Sequence, residues 1–137
     1  MKRILFLILA IFGTTLVFSQ PTLAEISKRL TKDTRARWIF EKFQRTLGAR
    51  AMIDTGCIYS SIIFSKSDSS YFGNLCASGN IKKTFRITQT GTESFKLRLD
   101  QTYDLDFYEK VFNGKKRDFM RLRIPGLTMK YLFIKVK

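Results

Sequence analysis

Apolar and polar residues alternate through most of the second half of the chain, with the period of two that is typical of β-strands. In residues 94–99, Phe95, Leu97 and Leu99 alternate with polar or charged residues. Other strand-like segments cover residues 81–89, 103–112, 116–124 and 129–136. We predict five strands here, with one face in the core and the other in water, although the last segment is apolar on both faces.

The residues between these segments are typical of tight turns. Asn113 and Gly114 both tolerate the positive φ that a two-residue hairpin requires. Pro125 and Gly126 suit the two central positions of a type II turn. Two more reversals are predicted at polar breaks, in residues 90–92 and 100–102. The five strands are therefore predicted to form an antiparallel meander.

Upstream, two more strands are predicted, and one segment fits two structures. Residues 57–65 and 71–76 read as strands around a Ser- and Asp-rich turn. In residues 26–47, apolar residues at three- and four-residue steps before Gly48 favour a helix. The run Trp-Ile-Phe at residues 38–40 equally suits a first strand, with residues 27–34 as a short helix before it.

We favour the strand, because an eighth strand allows the meander to close and removes its exposed edges. The predicted fold is all-β: a small antiparallel meander that closes into a β-barrel of about eight strands, after a short N-terminal helix. The alternative is an α+β fold, in which one helix packs on an antiparallel sheet.

The order of these features also carries a resemblance. Trp38 lies in the first strand after a short helical lead, residues 62–65 run into a Ser/Asp turn, and the meander continues to the C-terminus. Over residues 35–137 this layout resembles the small bacterial exported lipocalin-like β-barrel proteins. Ala36 stands where that family has the glycine of Gly-x-Trp. The resemblance implies a basic residue packed over Trp38, either Lys135 or Lys137. Residues 73–76 are more faintly similar to the Gly-Cys-Asn turn of META-type exported domains.

The N-terminus has the pattern of an export signal. Lys2 and Arg3 precede an apolar run over residues 4–18, which is shorter than the roughly 20 residues of a membrane-spanning helix. We expect cleavage after Gln20 or Ala24, with no transmembrane anchor left and a periplasmic or secreted product. The expected organisation is a signal peptide, an N-terminal lead and one barrel domain, in residues 1–24, 25–34 and 35–137.

Cys57 and Cys76 are the two cysteines of the chain, and both lie in the part expected to be exported. An oxidising compartment would allow them to form a disulfide, which closes a loop worth about 3 kcal/mol of stability. The alternative is a pair of reduced thiols in the core. Two cysteines without any histidine do not favour a zinc site, and we expect no metal or cofactor.

The absence of histidine also restricts catalysis. Ser-His-Asp and Cys-His arrangements are impossible, so we expect no catalytic site and no enzymatic activity. Asp104 and Asp106 share a predicted strand face about 7 Å apart, a spacing that could serve glycoside chemistry or calcium binding. We interpret them instead as solvated residues that offset neighbouring Lys and Arg.

The chain is strongly basic, with 25 Lys and Arg against 11 Asp and Glu and a net charge of +14. Five basic residues on predicted strands are candidates for anion binding: Arg86, Lys96, Arg98, Arg121 and Arg123. Residues 115–117 add a basic cluster at the tip of a predicted hairpin. A basic surface attracts anions, although it also serves simply to keep a protein soluble. Nucleic acid is not favoured as a partner, because an exported protein rarely meets it.

Two functional hypotheses follow. The first is a barrel whose interior holds a small apolar or lipid ligand, lined by Phe95, Leu97, Tyr103, Phe107, Leu122 and Ile134. Its alternative is an interior plugged by those same side chains. The second is an interaction protein whose cationic face docks on an anionic envelope surface or an acidic partner protein.

Overall fold

The computed structural model describes residues 20–45, 57–127 and 129–136. This part of the chain contains one helix, α1 (Leu23–Thr31), and nine strands. The strands are β1 (Arg35–Arg45), β2 (Tyr59–Ser65), β3 (Ser70–Leu75), β4 (Gly79–Thr84), β5 (Arg86–Gln89), β6 (Phe95–Arg98), β7 (Thr102–Phe112), β8 (Lys115–Arg123) and β9 (Met129–Lys135). The expected signal up to residue 19, and Lys137, lie outside the described residues.

The nine strands form one antiparallel sheet in the order β4-β3-β2-β1-β9-β8-β7-β6-β5. Apart from the β1–β9 pair, every paired set of strands is consecutive in the chain. The two edge strands, β4 and β5, are separated by Phe85 alone, so the sheet comes back to its own starting point as a nearly closed barrel. The predicted all-β barrel with a short N-terminal helix is confirmed, and the alternative α+β fold is wrong.

The ambiguous segment is a strand, and a β-bulge explains its helix-like spacing. The register of β1 against β9 shifts between Phe40 and Lys42. Phe40 is paired with Phe133 and Phe43 with Tyr131, and the two phenylalanine rings are 5.3 Å apart. In a regular strand, residues three apart point to opposite faces. The bulge inserts one extra residue, so Phe40 and Phe43 point to the same face, as residues three apart do in a helix.

The segment at residues 81–89, predicted as one strand, divides into β4 and β5 at Phe85. β4 pairs with β3, whereas β5 pairs with β6 at the other edge of the sheet. The Phe85 amide donates to the carbonyl of Ser69 at 2.8 Å, and its ring packs edge-on against Phe64. The sequence predicts eight strands, and the described structure has nine. The difference arises because the predicted strand at residues 81–89 bends at Phe85 and forms both edge strands of the sheet.

Aromatic side chains fill much of the space enclosed by the sheet. The largest side chains with less than 2% exposure are Trp38, Tyr59, Tyr71, Tyr103, Phe64 and Phe133. Gly73 provides space for one of them, because a Cβ at this position would lie 2.6 Å from Cε1 of Tyr59. The interior is thus a packed aromatic core.

Helix α1 packs across one end of the barrel. Thr22 and Glu25 form a capping box at its N-terminus, so the helix begins at Leu23, earlier than the predicted residues 27–34. Ile26 and Leu30 are buried in the core, and the Trp38 Nε1 donates to the carbonyl of Leu30 at 2.9 Å.

A disulfide joins Cys57 and Cys76 at the opposite end, with Cα atoms 6.0 Å apart, as predicted. It links the residues just outside β2 and β3, next to a hydrogen bond from the Cys76 amide to the carbonyl of Ile58. The predicted turns are also present: Asn113, Gly114 and Gly126 all have positive φ.

Candidate anion-binding cleft

A cleft of about 970 Å³ lies where β4 bends into β5. Helix α1 and the turn between β2 and β3 contribute its other walls, through Leu23 and Ser27 and through Lys66 and Ser69. The bend, the helix and the turn come from three separate parts of the sequence. The cleft is therefore a product of barrel closure.

Four basic residues line this cleft: Lys66, Lys83, Arg86 and Arg98. Arg86 and Arg98 are directly opposite each other on β5 and β6, so their side chains leave the sheet on the same face. No acidic residue is found among the described lining residues. Like charges at directly opposed positions are destabilising, and an anion bound between Arg86 and Arg98 would relieve that repulsion.

None of these four cations forms an ion pair with a carboxylate in the described ranges 20–45, 57–127 and 129–136. Arg86 and Arg98 are both exposed. Their guanidinium groups remain available to a ligand, and guanidinium matches the geometry of carboxylate and phosphate with two parallel hydrogen bonds.

One part of the cleft is apolar. Leu23 is 41% exposed, Phe85 and Ile87 are half-buried, and Leu99 is buried at the edge of the core. The hydroxyl-bearing residues Ser27, Ser69 and Thr84 also line the cleft. The arrangement can hold an anionic group and cover an adjoining apolar chain in the same space.

The five basic residues predicted to bind anions divide into two groups. Arg86 and Arg98 line the cleft. Lys96 and Arg123 instead both pair with Asp104, at 2.9 and 2.8 Å, and Arg121 pairs with Asp106. These three cations are partly neutralised within the barrel wall, so the structure does not unite all five in one site.

The carboxylates on this part of the barrel wall, Asp104 and Asp106, already form ion pairs. Burial alone would raise the pKa of Asp104, but its hydrogen bonds with Lys96 and Arg123 outweigh burial and lower that pKa. Asp104 and Asp106 thus act as counterions for neighbouring bases. The described residues contain no group of three or more His, Cys, Asp or Glu side chains that could hold a metal ion.

Of the six residues predicted to line an internal ligand site, four are buried members of the packed core: Phe95, Leu97, Tyr103 and Leu122. Phe107 packs against this core, with its ring 5.6 Å from that of Trp38. Ile134 is not in the core cluster, since its neighbour Phe133 occupies the inner face of β9. Ile134 was predicted to face inward, and the alternation places it on the outer face. None of the six lines the cleft.

A polar cluster that extends from buried tyrosines to the exposed Asp100 was not anticipated. The carboxylate of Asp100 accepts hydrogen bonds from the hydroxyls of Tyr59 at 2.7 Å and Tyr103 at 3.2 Å, and Tyr71 lies 3.4 Å from Tyr59. Burial, followed by these hydrogen bonds and the nearby carboxylate, raises the pKa of Tyr59; burial also raises the pKa of Tyr103. The phenols stay protonated donors, and the cluster satisfies its own polar groups.

At the helix end, Lys135 connects α1 to the barrel. Its Nζ lies 4.9 Å from the centre of the Trp38 ring and donates to the carbonyl of Arg29 at 2.7 Å. Asp118 accepts from both Lys135 and Arg29. Lys135 thus occupies the position over Trp38 that the resemblance assigns to a basic residue.

Comparison with protein-family models, curated proteins and solved structures finds no match to this chain. In the described part of the chain, no helix is long and apolar enough to cross a membrane.

Proposed function

We propose that the protein is a non-catalytic binding protein whose cleft at the β4–β5 bend holds an amphiphilic anion. The ligand class is a phosphate or carboxylate attached to an apolar chain. The observation that carries the proposal is that four basic residues, which pair with no carboxylate among the described residues, line one cleft together with apolar side chains.

The cleft is a better supported ligand site than the barrel interior. An internal apolar ligand would have to displace side chains such as Leu97 and Tyr103, which are 0% and 1% exposed and belong to a continuous core. Displacing them would sacrifice packing and separate the Tyr103 hydroxyl from Asp100. The cleft is already open and needs no such rearrangement.

The proposal is tested by calorimetric titration with three probes: dodecyl phosphate, inorganic phosphate and dodecanol. Dodecyl phosphate should bind most tightly, because it alone engages both the cations and the apolar wall. Binding should weaken as salt rises, since exposed charges are screened beyond roughly 8 Å at physiological ionic strength. Equal affinity for dodecanol and dodecyl phosphate would contradict a cationic site.

Charge reversal supplies the matched control. Arg86→Glu with Arg98→Glu should weaken dodecyl phosphate binding by roughly tenfold or more, from two charge contacts of about 1 kcal/mol each. Lys110→Glu with Lys115→Glu makes the same change in net charge outside the cleft and should leave binding within about twofold of the parent. An equal loss in both double variants would show that net charge, and not the cleft, attracts the ligand.

The apolar wall is tested separately. Leu23→Ser changes a side chain that is 41% exposed, so the fold should survive. This variant should bind dodecyl phosphate less tightly and inorganic phosphate equally well. Unchanged binding of dodecyl phosphate would show that the cleft does not recognise an apolar chain on its ligand.

We further propose that the protein is exported, with cleavage after Gln20. The disulfide is compatible with an oxidising compartment. A cut after Gln20 keeps the capping box of Thr22 and Glu25, whereas a cut after Ala24 removes the Thr22 cap and part of the cleft wall at Leu23. N-terminal sequencing of the protein recovered from culture medium or periplasm tests this, and an N-terminus at Glu25 would contradict it.

A further inference from the structure

We propose that the tip of the β7–β8 hairpin docks the protein on an anionic lipid bilayer. The docking element is residues 110–117, called the hairpin arm below. It is separate from the cleft, so this proposal and the proposed function can fail independently.

The hairpin arm projects beyond the rest of the sheet. β6 pairs with β7 only as far as Leu105, and β9 pairs with β8 only from Phe119 onward. The arm has three residue pairs, and no other strand of the described part of the chain pairs with them: Lys110 with Arg117, Val111 with Lys116 and Phe112 with Lys115. Asn113 and Gly114 close the arm with positive φ, which gives a compact, rigid two-residue turn.

Two large apolar side chains occupy this projecting tip. Val111 is 66% exposed and Phe112 is 37% exposed. The Phe112 ring is supported edge-on by Phe119, which is itself buried and stacked on Tyr108 at 5.0 Å. The tip therefore presents two exposed apolar side chains, of which Phe112 is held on an aromatic base.

Cations surround the apolar tip. Lys110, Lys115, Lys116 and Arg117 belong to the arm, and the arm contains no acidic residue. Lys116 pairs with Glu109, but Lys110, Lys115 and Arg117 form no ion pair within the described ranges. Each cation held near an anionic membrane surface strengthens binding by roughly fivefold.

The shape of the arm favours a bilayer over an acidic protein as its partner. A stable protein interface covers about 800 Å² on each side, which is far more than a two-residue turn and its neighbours present. A membrane interface, in contrast, accepts a few apolar residues below the headgroups while flanking cations remain among the phosphates.

The experiment is co-sedimentation of the full chain with vesicles. Vesicles of phosphatidylglycerol and phosphatidylcholine in equal amounts should bind the protein, and vesicles of phosphatidylcholine alone should bind it at least about tenfold less. Val111→Ser with Phe112→Ser keeps every charge and should release the protein from anionic vesicles. Val111→Ser alone, at the more exposed position, provides a second test should the double variant lose its native circular dichroism spectrum.

Charge variants and a fluorescent reporter complete the design. Lys110→Glu with Lys115→Glu should release the protein, while Lys42→Glu with Lys82→Glu, which makes the same change in net charge at exposed positions outside both the arm and the cleft, should retain most of the binding. In Val111→Trp the new tryptophan should shift to shorter wavelength and be quenched by brominated lipid, whereas Ala77→Trp, in the β3–β4 turn at the opposite end of the barrel, should not.

Binding that does not depend on Val111 and Phe112, or that treats the two kinds of vesicle equally, would overturn the proposal. Binding to polyglutamate in the absence of vesicle binding would also overturn it, and would identify the arm as a site for acidic polypeptides.

Discussion

Removing the disulfide should cost the protein about 3 kcal/mol of stability. Cys57 and Cys76 are separated by 19 residues. Joining the ends of such a loop removes about 11 cal/mol/K of entropy from the unfolded chain, which corresponds to about 3 kcal/mol near room temperature. In the folded state the two ends are already held together, because the Cys76 amide bonds to the carbonyl of Ile58. The bridge should therefore act mainly on the unfolded state.

The variant Cys57→Ser with Cys76→Ser suits this measurement. Cys57 is only half-buried and Cys76 is exposed, so the new hydroxyls need not be buried in the core. Urea denaturation followed by circular dichroism should show the midpoint fall by about 1–3 M, given a slope of about 1–3 kcal/mol per molar. The reduced parent protein should match the variant. A loss below about 1 kcal/mol at unchanged slope would refute the loop-closure reasoning.

Three further predictions concern the core and the barrel wall. Trp38→Phe should destabilise the protein by about 2–4 kcal/mol, because it removes the hydrogen bond to Leu30 and leaves a void; circular dichroism must follow the unfolding, since Trp38 is the single tryptophan. Gly73→Ala should cost about 1–3 kcal/mol by displacing the Tyr59 ring, and a melting temperature equal to that of the parent would contradict the close approach. The folded-state pKa of Asp104 is lowered, so its contribution to stability is present above about pH 4 and is lost as pH falls through the folded pKa. Urea midpoints measured from neutral to acid pH should show this loss of stability in the parent protein, and Asp104→Asn should lack the part that Asp104 contributes.

Much of the barrel could be predicted because its strands pair with their sequence neighbours. Period-two alternation and turn residues are local signals, and they located the strands from β6 to β9 closely. The three-residue step from Phe40 to Phe43 was ambiguous, since a bulge and a helix can both place these residues on one face. The sequence around Phe85 does not predict that the segment pairs with β3 before this residue and with β6 after it, because the bend depends on closure of the whole sheet.

The candidate sites also differ in how far they can be predicted from the sequence. The two-residue turn at Asn113 and Gly114 fixes the register of the hairpin, which places Asp104 opposite Arg123 and Asp106 opposite Arg121. The interpretation of Asp104 and Asp106 as residues that offset neighbouring Lys and Arg is thus confirmed, and the register identifies their individual partners. The cleft was not accessible from the sequence, because Lys66 and Arg86 come from different hairpins and meet only in the closed barrel.

The pairing of β1 with β9 also has a consequence for how the chain folds. All other strand pairs join neighbours in sequence, so their partners are much closer along the chain than Trp38 and Lys135, which pair across almost the whole described chain. Forming contacts of such high sequence separation is entropically costly and slow. The last event in folding should accordingly be the meeting of the two ends of the meander, and until then β1 and β9 expose the unpaired strand edges through which partly folded chains aggregate.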